Sequence, residues 1–172
     1  MKANYDVVII GAGISGIDMA CQLSMYHPNK RYIILERRQD LGGTWDLFKY
    51  PGIRSDSDMA TFGFKFRPWK KSKVLAEATE IKDYLKETAE EYGVLEHIRY
   101  GTEVSQLDFD SQSSCWTISI KDVHTEQSEK FSVNLWCHVQ VITTMTQVIS
   151  QNLKVWKIIK APLSIRNFGL KI

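Results

Sequence analysis

The chain has 172 residues, of which 22 are Lys or Arg and 20 Asp or Glu, for a net charge of +2. That length suits one ordinary domain, and so even a balance gives no electrostatic footing for nucleic acid. No apolar run approaches the ~20 residues that span a bilayer, so no transmembrane segment is expected.

The first element in chain order is the apolar run Val7-Val8-Ile9-Ile10, which ends in Gly11-Ala12-Gly13-Ile14-Ser15-Gly16. The N-terminus leads straight into this strand, and no signal peptide is expected. A strand that feeds a G-x-G-x-x-G turn and then a helix is built to hold a dinucleotide. Gly11 permits the sharp turn, Gly13 lets backbone N–H groups approach a pyrophosphate, and Gly16 lets the helix lie against the strand. The helix is expected from Ser15 to Tyr26, with Ile17, Ala20, Cys21 and Ser24 at helical spacing and His27-Pro28-Asn29 as its stop. Its positive end points at the phosphates. A second run, Tyr32-Ile33-Ile34-Leu35, closes at Glu36, where a carboxylate can accept hydrogen bonds from ribose hydroxyls.

Residues 37–73 read as a loop, with Pro51, Gly52, Gly63 and Pro68 interrupting any period. A loop this long in a compact domain is functional or disordered. Its aromatics, among them Trp45, Phe62, Phe64, Phe66 and Trp69, argue against disorder because they supply apolar area to bury. Lys70, Lys71 and Lys73 read as a solvated stretch. A helix is expected from about Thr79 to Tyr92, with Thr79 as N-cap and Gly93 as its stop; Ile81, Tyr84, Leu85, Thr88, Ala89 and Tyr92 form its apolar face. Three strands follow, at Glu103–Asp110, Cys115–Asp122 and Glu129 to about Leu135, in an antiparallel meander. Cys21, Cys115 and Cys137 are widely spaced and odd in number, which suits reduced thiols in a cytoplasmic protein. The four histidines have no ligand spacing with them, so no metal site is expected.

The stretch Gly42-Gly43-Thr44-Trp45-Asp46-Leu47-Phe48-Lys49-Tyr50-Pro51-Gly52-Ile53-Arg54-Ser55-Asp56-Ser57-Asp58, together with Asp6 to Gly16, Glu36 and Phe64-Lys65-Phe66-Arg67-Pro68-Trp69, closely resembles class B flavin-dependent monooxygenases. The nearest likeness is to bacterial Baeyer–Villiger monooxygenases of the ethionamide-activating type, over residues 5 to about 135. A Gly-Gly-x-Trp loop after the acidic residue separates such proteins from simple nicotinamide dehydrogenases.

The resemblance implies an α/β fold, a Rossmann-like FAD-binding domain in which an antiparallel β-meander replaces a crossover helix of the parallel sheet. It implies FAD and NADPH as cofactors and a small-molecule ketone or sulfide as substrate, with hydride passing from NADPH to FAD before oxygenation. By the same resemblance Gly11, Gly13, Ser15 and Gly16 hold the FAD pyrophosphate and Glu36 the adenosine ribose. Thr44, Trp45 and Asp46 run along the flavin side, and Val104 meets adenine through its backbone. Arg54, Ser55 and Asp56 border the nicotinamide, and Asp56 is the catalytic carboxylate that orients an active-site arginine. On physics alone Asp56 reads instead as a capping carboxylate of a Ser-Asp-Ser-Asp turn, and Trp45 as a core aromatic.

After Leu135 the family pattern stops. It calls for an apolar strand, a small-residue turn and Gly-Tyr-Tyr-Asn-Tyr-Asp, but the chain reads Trp136-Cys137-His138-Val139-Gln140-Val141-Ile142. Joining the third base of each codon to the first two of the next makes Gln140–Thr146 permit Gly-Tyr-Tyr-Asn-Tyr-Asp. In the same frame Ile158–Leu170 permits Tyr-Lys-Gly-Pro-Phe-Ile-His-Pro-Gln-Phe-Trp-Pro, the Baeyer–Villiger signature with Tyr at its first position. The expectation is therefore an N-terminal part of the FAD domain over 1–135, an out-of-frame tail over 136–172, and no NADPH domain. A sequencing error gives the same string, and a divergent tail is the other reading. Such a fragment is expected to leave an exposed edge on the central strand. Three readings remain open: a monooxygenase piece inactive alone, a non-catalytic FAD-binding module, and a nonfunctional pseudogene product.

Overall fold

The computed structural model describes residues 4–139. Gln140 and everything after it, including both peptides of the shifted frame, lie outside the described residues.

Alternation along β1 (Tyr5–Ile10) sends Val7 and Ile9 to one face and Val8 to the other. β2 (Tyr32–Leu35) runs parallel beside it, from Val7 opposite Tyr32 to Ile10 opposite Leu35. Between them α1 (Ile14–Tyr26) begins one residue before the expected Ser15 and buries Gly16, Ile17, Ala20, Cys21 and Leu23. Ser24 sits at the margin of that face, where its hydroxyl shares a 2.8 Å hydrogen bond with the Tyr32 phenol.

The long loop is ordered by two single-turn helices, α2 (Thr44–Leu47) and α3 (Met59–Phe62), which its prolines and glycines hide from any periodic reading. Its aromatics do find partners. Phe64 stacks between Phe66 and Tyr84, and the Tyr84 hydroxyl accepts from the Phe64 N–H and donates to the Arg67 carbonyl. Tyr84 belongs to α4 (Ala78–Glu91), whose buried face is Ala78, Ile81, Tyr84, Leu85, Thr88 and Ala89. The expected N-cap, Thr79, is already inside this helix. The cap is Glu77, and its N–H donates to Glu80 Oε2 at 2.9 Å, one half of a capping box. Lys73, read as solvated, is exposed and pairs with Glu77 and Glu80.

A two-residue strand, β3 (Ile98–Arg99), pairs in parallel with β2 and is too short to leave a sequence signal. The meander follows as β4 (Thr102–Asp110), β5 (Cys115–Asp122) and β6 (Ser128–His138). The six strands lie in the order β3-β2-β1-β6-β5-β4.

That order corrects the expectation of an exposed edge on the central strand. β6 pairs antiparallel with β5 through Val133 opposite Trp116, then runs parallel to β1 from Val133 opposite Tyr5 to His138 opposite Ile10. One strand of 11 residues thus ends the meander and also flanks β1. The reason is that a ladder is made of backbone N–H and C=O groups, which Trp136, Cys137 and His138 supply whatever their side chains. What stays open is a face: Leu135, opposite Val7, is 51% exposed.

The core has two layers. On the helix side Val7, Ile9 and Ile34 pack with Ile17, Ile81 and Leu85. On the other side Val8 and Leu35 are covered by Ile118, Ile120, Phe131 and Val133 of the meander. Each such fully buried aliphatic side chain contributes about 1.5–3 kcal/mol, so the meander closes the face that a crossover helix would otherwise cover.

Candidate cofactor site at the two glycine turns

The site grows out of the end of β1. Gly11 takes φ +106°, and its N–H donates to the Leu35 carbonyl at 2.9 Å. A Cβ on Gly16 would fall 2.0 Å from the Gly11 oxygen. Only glycine fits there, because α1 lies directly on the turn. Gly13 is the N-cap of α1; no side chain caps this end, and its first turn contains no acidic residue. The N–H groups of the opening turn have no intrahelical partner by geometry. Ser15 is exposed on the same turn. α2 likewise starts at a glycine, Gly43, with no side-chain cap, though Asp46 is in its first turn, whereas Asp58 caps α3 and Glu77 with Glu80 caps α4.

The second glycine cluster folds back onto the first. The Gly42 N–H donates to the Ala12 carbonyl at 2.9 Å. A Cβ on Gly43 would come within 2.9 Å of the Gly13 Cα, so the two backbones touch where side chains would separate them. Glu36 is buried beneath this contact. Its Oε2 accepts from the Ala12 N–H at 2.7 Å and its Oε1 from the Arg38 N–H at 2.9 Å. Each oxygen keeps lone-pair capacity for a further donor. The Thr102 N–H donates to the Glu36 carbonyl, and Arg37 lies 3.6 Å from Glu103, which brings the start of β4 to this end of the sheet. Val104 stands there, opposite Ile120, immediately before a break in register.

Thr44, Trp45 and Asp46 open α2. Trp45 is half-buried and meets Phe62 edge-on, with ring centroids 5.8 Å apart. Asp46 is buried, and its carboxylate faces inward to three cations: Lys82 at 2.6 Å, Arg38 at 2.8 Å and Lys49 at 3.4 Å. Burial pushes its pKa up, but hydrogen bonds from Lys82 and Arg38 more than offset this and hold it at about 2. Lys82 also pairs with Asp40 at 2.7 Å. Sequence reasoning missed both Arg38 and Lys82; Lys82 arrives from α4, 36 positions away from its partner, and no local pattern marks it.

The Arg54-Ser55-Asp56 segment lies against residues 76–78. The Ser55 N–H donates to the Ala76 carbonyl at 2.8 Å, the Ala78 N–H donates to the Ile53 carbonyl, and Arg54 bridges to Glu77. Ser55 is buried and turns its hydroxyl to the Ser57 carbonyl. Asp58, and not Asp56, performs the capping: it accepts from the Thr61 N–H at 2.8 Å and from the Thr61 hydroxyl. Backbone hydrogen bonding from Thr61 lowers its pKa. Asp56 is exposed, and its carboxylate has no partner among the described residues.

Every residue expected at the site from 11 to 46 is thus gathered at one end of the sheet, with Val104 on the neighbouring strand. A cleft of about 210 Å³ between Phe66–Lys71 and Tyr84, Glu87 and Glu91 is lined by none of them. Among the described residues no group of side chains could hold a metal, and no helix is long and apolar enough to cross a membrane.

Residues 9–78 match the NAD(P)-binding Rossmann-like domain. The Mycobacterium tuberculosis protein MymA, named as an FAD-containing monooxygenase, is 53% identical over 119 residues, 69% of this chain and 24% of MymA. The FAD-containing monooxygenase EthA of Mycolicibacterium smegmatis is 51% identical over 121 residues, 70% of this chain and 25% of EthA. Among solved structures, OTEMO in complex with FAD and NADP superposes with a TM-score of 0.72 at 25% identity, over 82% of this chain and 26% of that one. The chain spans about a quarter of the length of the relatives it matches. With its glycine turns, buried Glu36 and meander in place, the chain is homologous to FAD-containing monooxygenases over the quarter of their length that it spans.

Proposed function

We propose that this chain binds FAD and represents the FAD-binding part of an FAD- and NADPH-dependent monooxygenase acting on a small ketone or sulfide. The observation that carries the reading is the uncapped start of α1, seated against the Gly42-Gly43 turn with Glu36 beneath it. An open helix end with no acid in its first turn suits a pyrophosphate, and a Cβ on Gly13 would have only the Gly43 Cα within 4 Å, at 3.6 Å.

In this reading Gly11, Gly13, Ser15 and Gly16 bind the pyrophosphate, Glu36 takes the adenosine ribose, and the Val104 backbone meets adenine. Thr44 and Trp45 line the flavin end, and Asp46 supports it. Bound FAD would supply hydride acceptance and the reduction of dioxygen. The protein's share is to orient the cofactor and exclude water from it. Arg54, Ser55 and Asp56 would border the nicotinamide of NADPH. The exposed Asp56 carboxylate suits the orienting of a cation, since the capping work of its turn is done by Asp58.

Because the chain spans about a quarter of its relatives, we infer that the 172 residues alone do not oxidise NADPH. We also infer that residues 136–172 come from a shifted frame. Trp136–His138 complete β6 because strand pairing uses backbone alone. Bases around codon 136 that encode no family-like peptide in the other frame would refute the shift. The free thiols accord with a cytoplasmic setting. For the cofactor, purified protein is incubated with FAD and desalted. Retained flavin absorbance without NADPH oxidation is expected, and a sample that holds no flavin would refute the reading.

A further inference from the structure

We infer that Lys82, on α4, is a positioning residue for the flavin half of the site: it fixes the Gly42-Gly43 turn and α2 through the buried Asp46. This rests on the FAD reading above. Two contacts carry it. The Lys82 ammonium lies 2.6 Å from Asp46 Oδ1 and 2.7 Å from Asp40 Oδ2, so it joins the carboxylates on either side of the turn. Its alkyl stem lies on the turn itself, since a Cβ on Gly42 would fall 3.3 Å from both Lys82 Cγ and Asp46 Cβ.

The turn held in this way carries Gly43, whose backbone abuts Gly13, and leads into Thr44 and Trp45. Arg38 completes the clamp from the other side, with Nε and Nη2 on Asp46 Oδ2 and its N–H on Glu36 Oε1. The ADP half meets this turn through the Gly42 N–H on the Ala12 carbonyl and the Gly43–Gly13 contact. Lys82 itself bonds to neither the Gly11–Gly16 turn nor Glu36, so its loss acts on α2 and Trp45 more than on the ADP half.

The test is the affinity of the purified 172-residue chain for FAD and for ADP, compared between wild type and Lys82→Met by isothermal titration. The variant is expected to bind FAD roughly tenfold or more weakly, as loss of a supporting shell around ligand contacts does, with its ADP affinity within about twofold. Lys82→Arg, which keeps the charge, is expected to recover most of the FAD affinity. Equal losses for FAD and ADP would mean a merely structural lysine, and no loss for either would mean no role; both overturn the inference. Should Lys82→Met not fold, Asp46→Asn is read on the same two ligands with the same split expected. Wild type that binds neither ligand refutes the site itself, and this inference with it, whereas wild type that binds both keeps the two questions apart.

Discussion

Replacing Asp46 by Asn should cost stability in a pH-dependent way that the ion cluster around it dictates. The carboxylate is 9% exposed and faces Lys82, Arg38 and Lys49. Its pKa is lowered from the ordinary 3.8 to about 2: burial raises it, and the hydrogen bonds from Lys82 and Arg38 outweigh burial. At about 1.4 kcal/mol per tenfold in the proton equilibrium, that depression is worth about 2 kcal/mol. The sign follows from the direction. A carboxylate with a depressed folded-state pKa stabilises fully above the unfolded value of 3.8, and that stability is lost as pH falls toward about 2. Urea melts followed by circular dichroism should therefore place Asp46→Asn about 2 kcal/mol below wild type at pH 7, with the gap reduced to roughly half by pH 3. In a thermal scan the neutral-pH gap corresponds to roughly 5–10 °C for a domain of this size. A variant as stable as wild type at pH 7 would refute the reasoning. So would a deficit that stays constant down to pH 3, because that would be a packing effect and not an ionic one.

Gly16→Ala should be far more damaging, since its Cβ would sit 2.0 Å from the rigid Gly11 oxygen; a loss of more than about 3 kcal/mol is expected in the same melts. Tyr84→Phe removes the hydroxyl that joins the Phe64 N–H to the Arg67 carbonyl, and should cost about 1–3 kcal/mol with far-ultraviolet circular dichroism unchanged. Glu36→Gln keeps an acceptor for only one of the Ala12 and Arg38 N–H groups. It should weaken ADP and FAD together, by roughly tenfold, in contrast to the split expected at Lys82. Cys21 is fully buried and its thiol is pushed up to about 12, chiefly by burial. Ellman's reagent at pH 8 should leave it unmodified in folded protein and reach it in guanidinium; its rapid labelling in the native state would contradict the packing of α1.

Much of this molecule is written locally. The G-x-G-x-x-G turn, the two apolar runs and Glu36 place β1, α1 and β2 within two residues, because close approach at Gly11 and Gly16 and alternation along a strand are constraints that neighbours in sequence impose on one another. The meander was legible for the same reason, through Trp116, Ile118 and Ile120 and their turn signals. Less legible were the cap of α4, where two glutamates displace the threonine, and the one-turn helices inside the loop.

What tertiary structure alone decided concerns partners distant along the chain. That β6 lies beside β1 is a matter of backbone pairing between residues more than a hundred apart, to which Trp136 adds an edge-on contact with Trp116 of β5. That Asp46 is enclosed by Lys82 and Arg38, while Asp56 is left free by Asp58, depends on which side chains the packed helices bring within hydrogen-bond reach. Sequence spacing sets the elements and the turns; the charges that meet across them are set by how those elements pack.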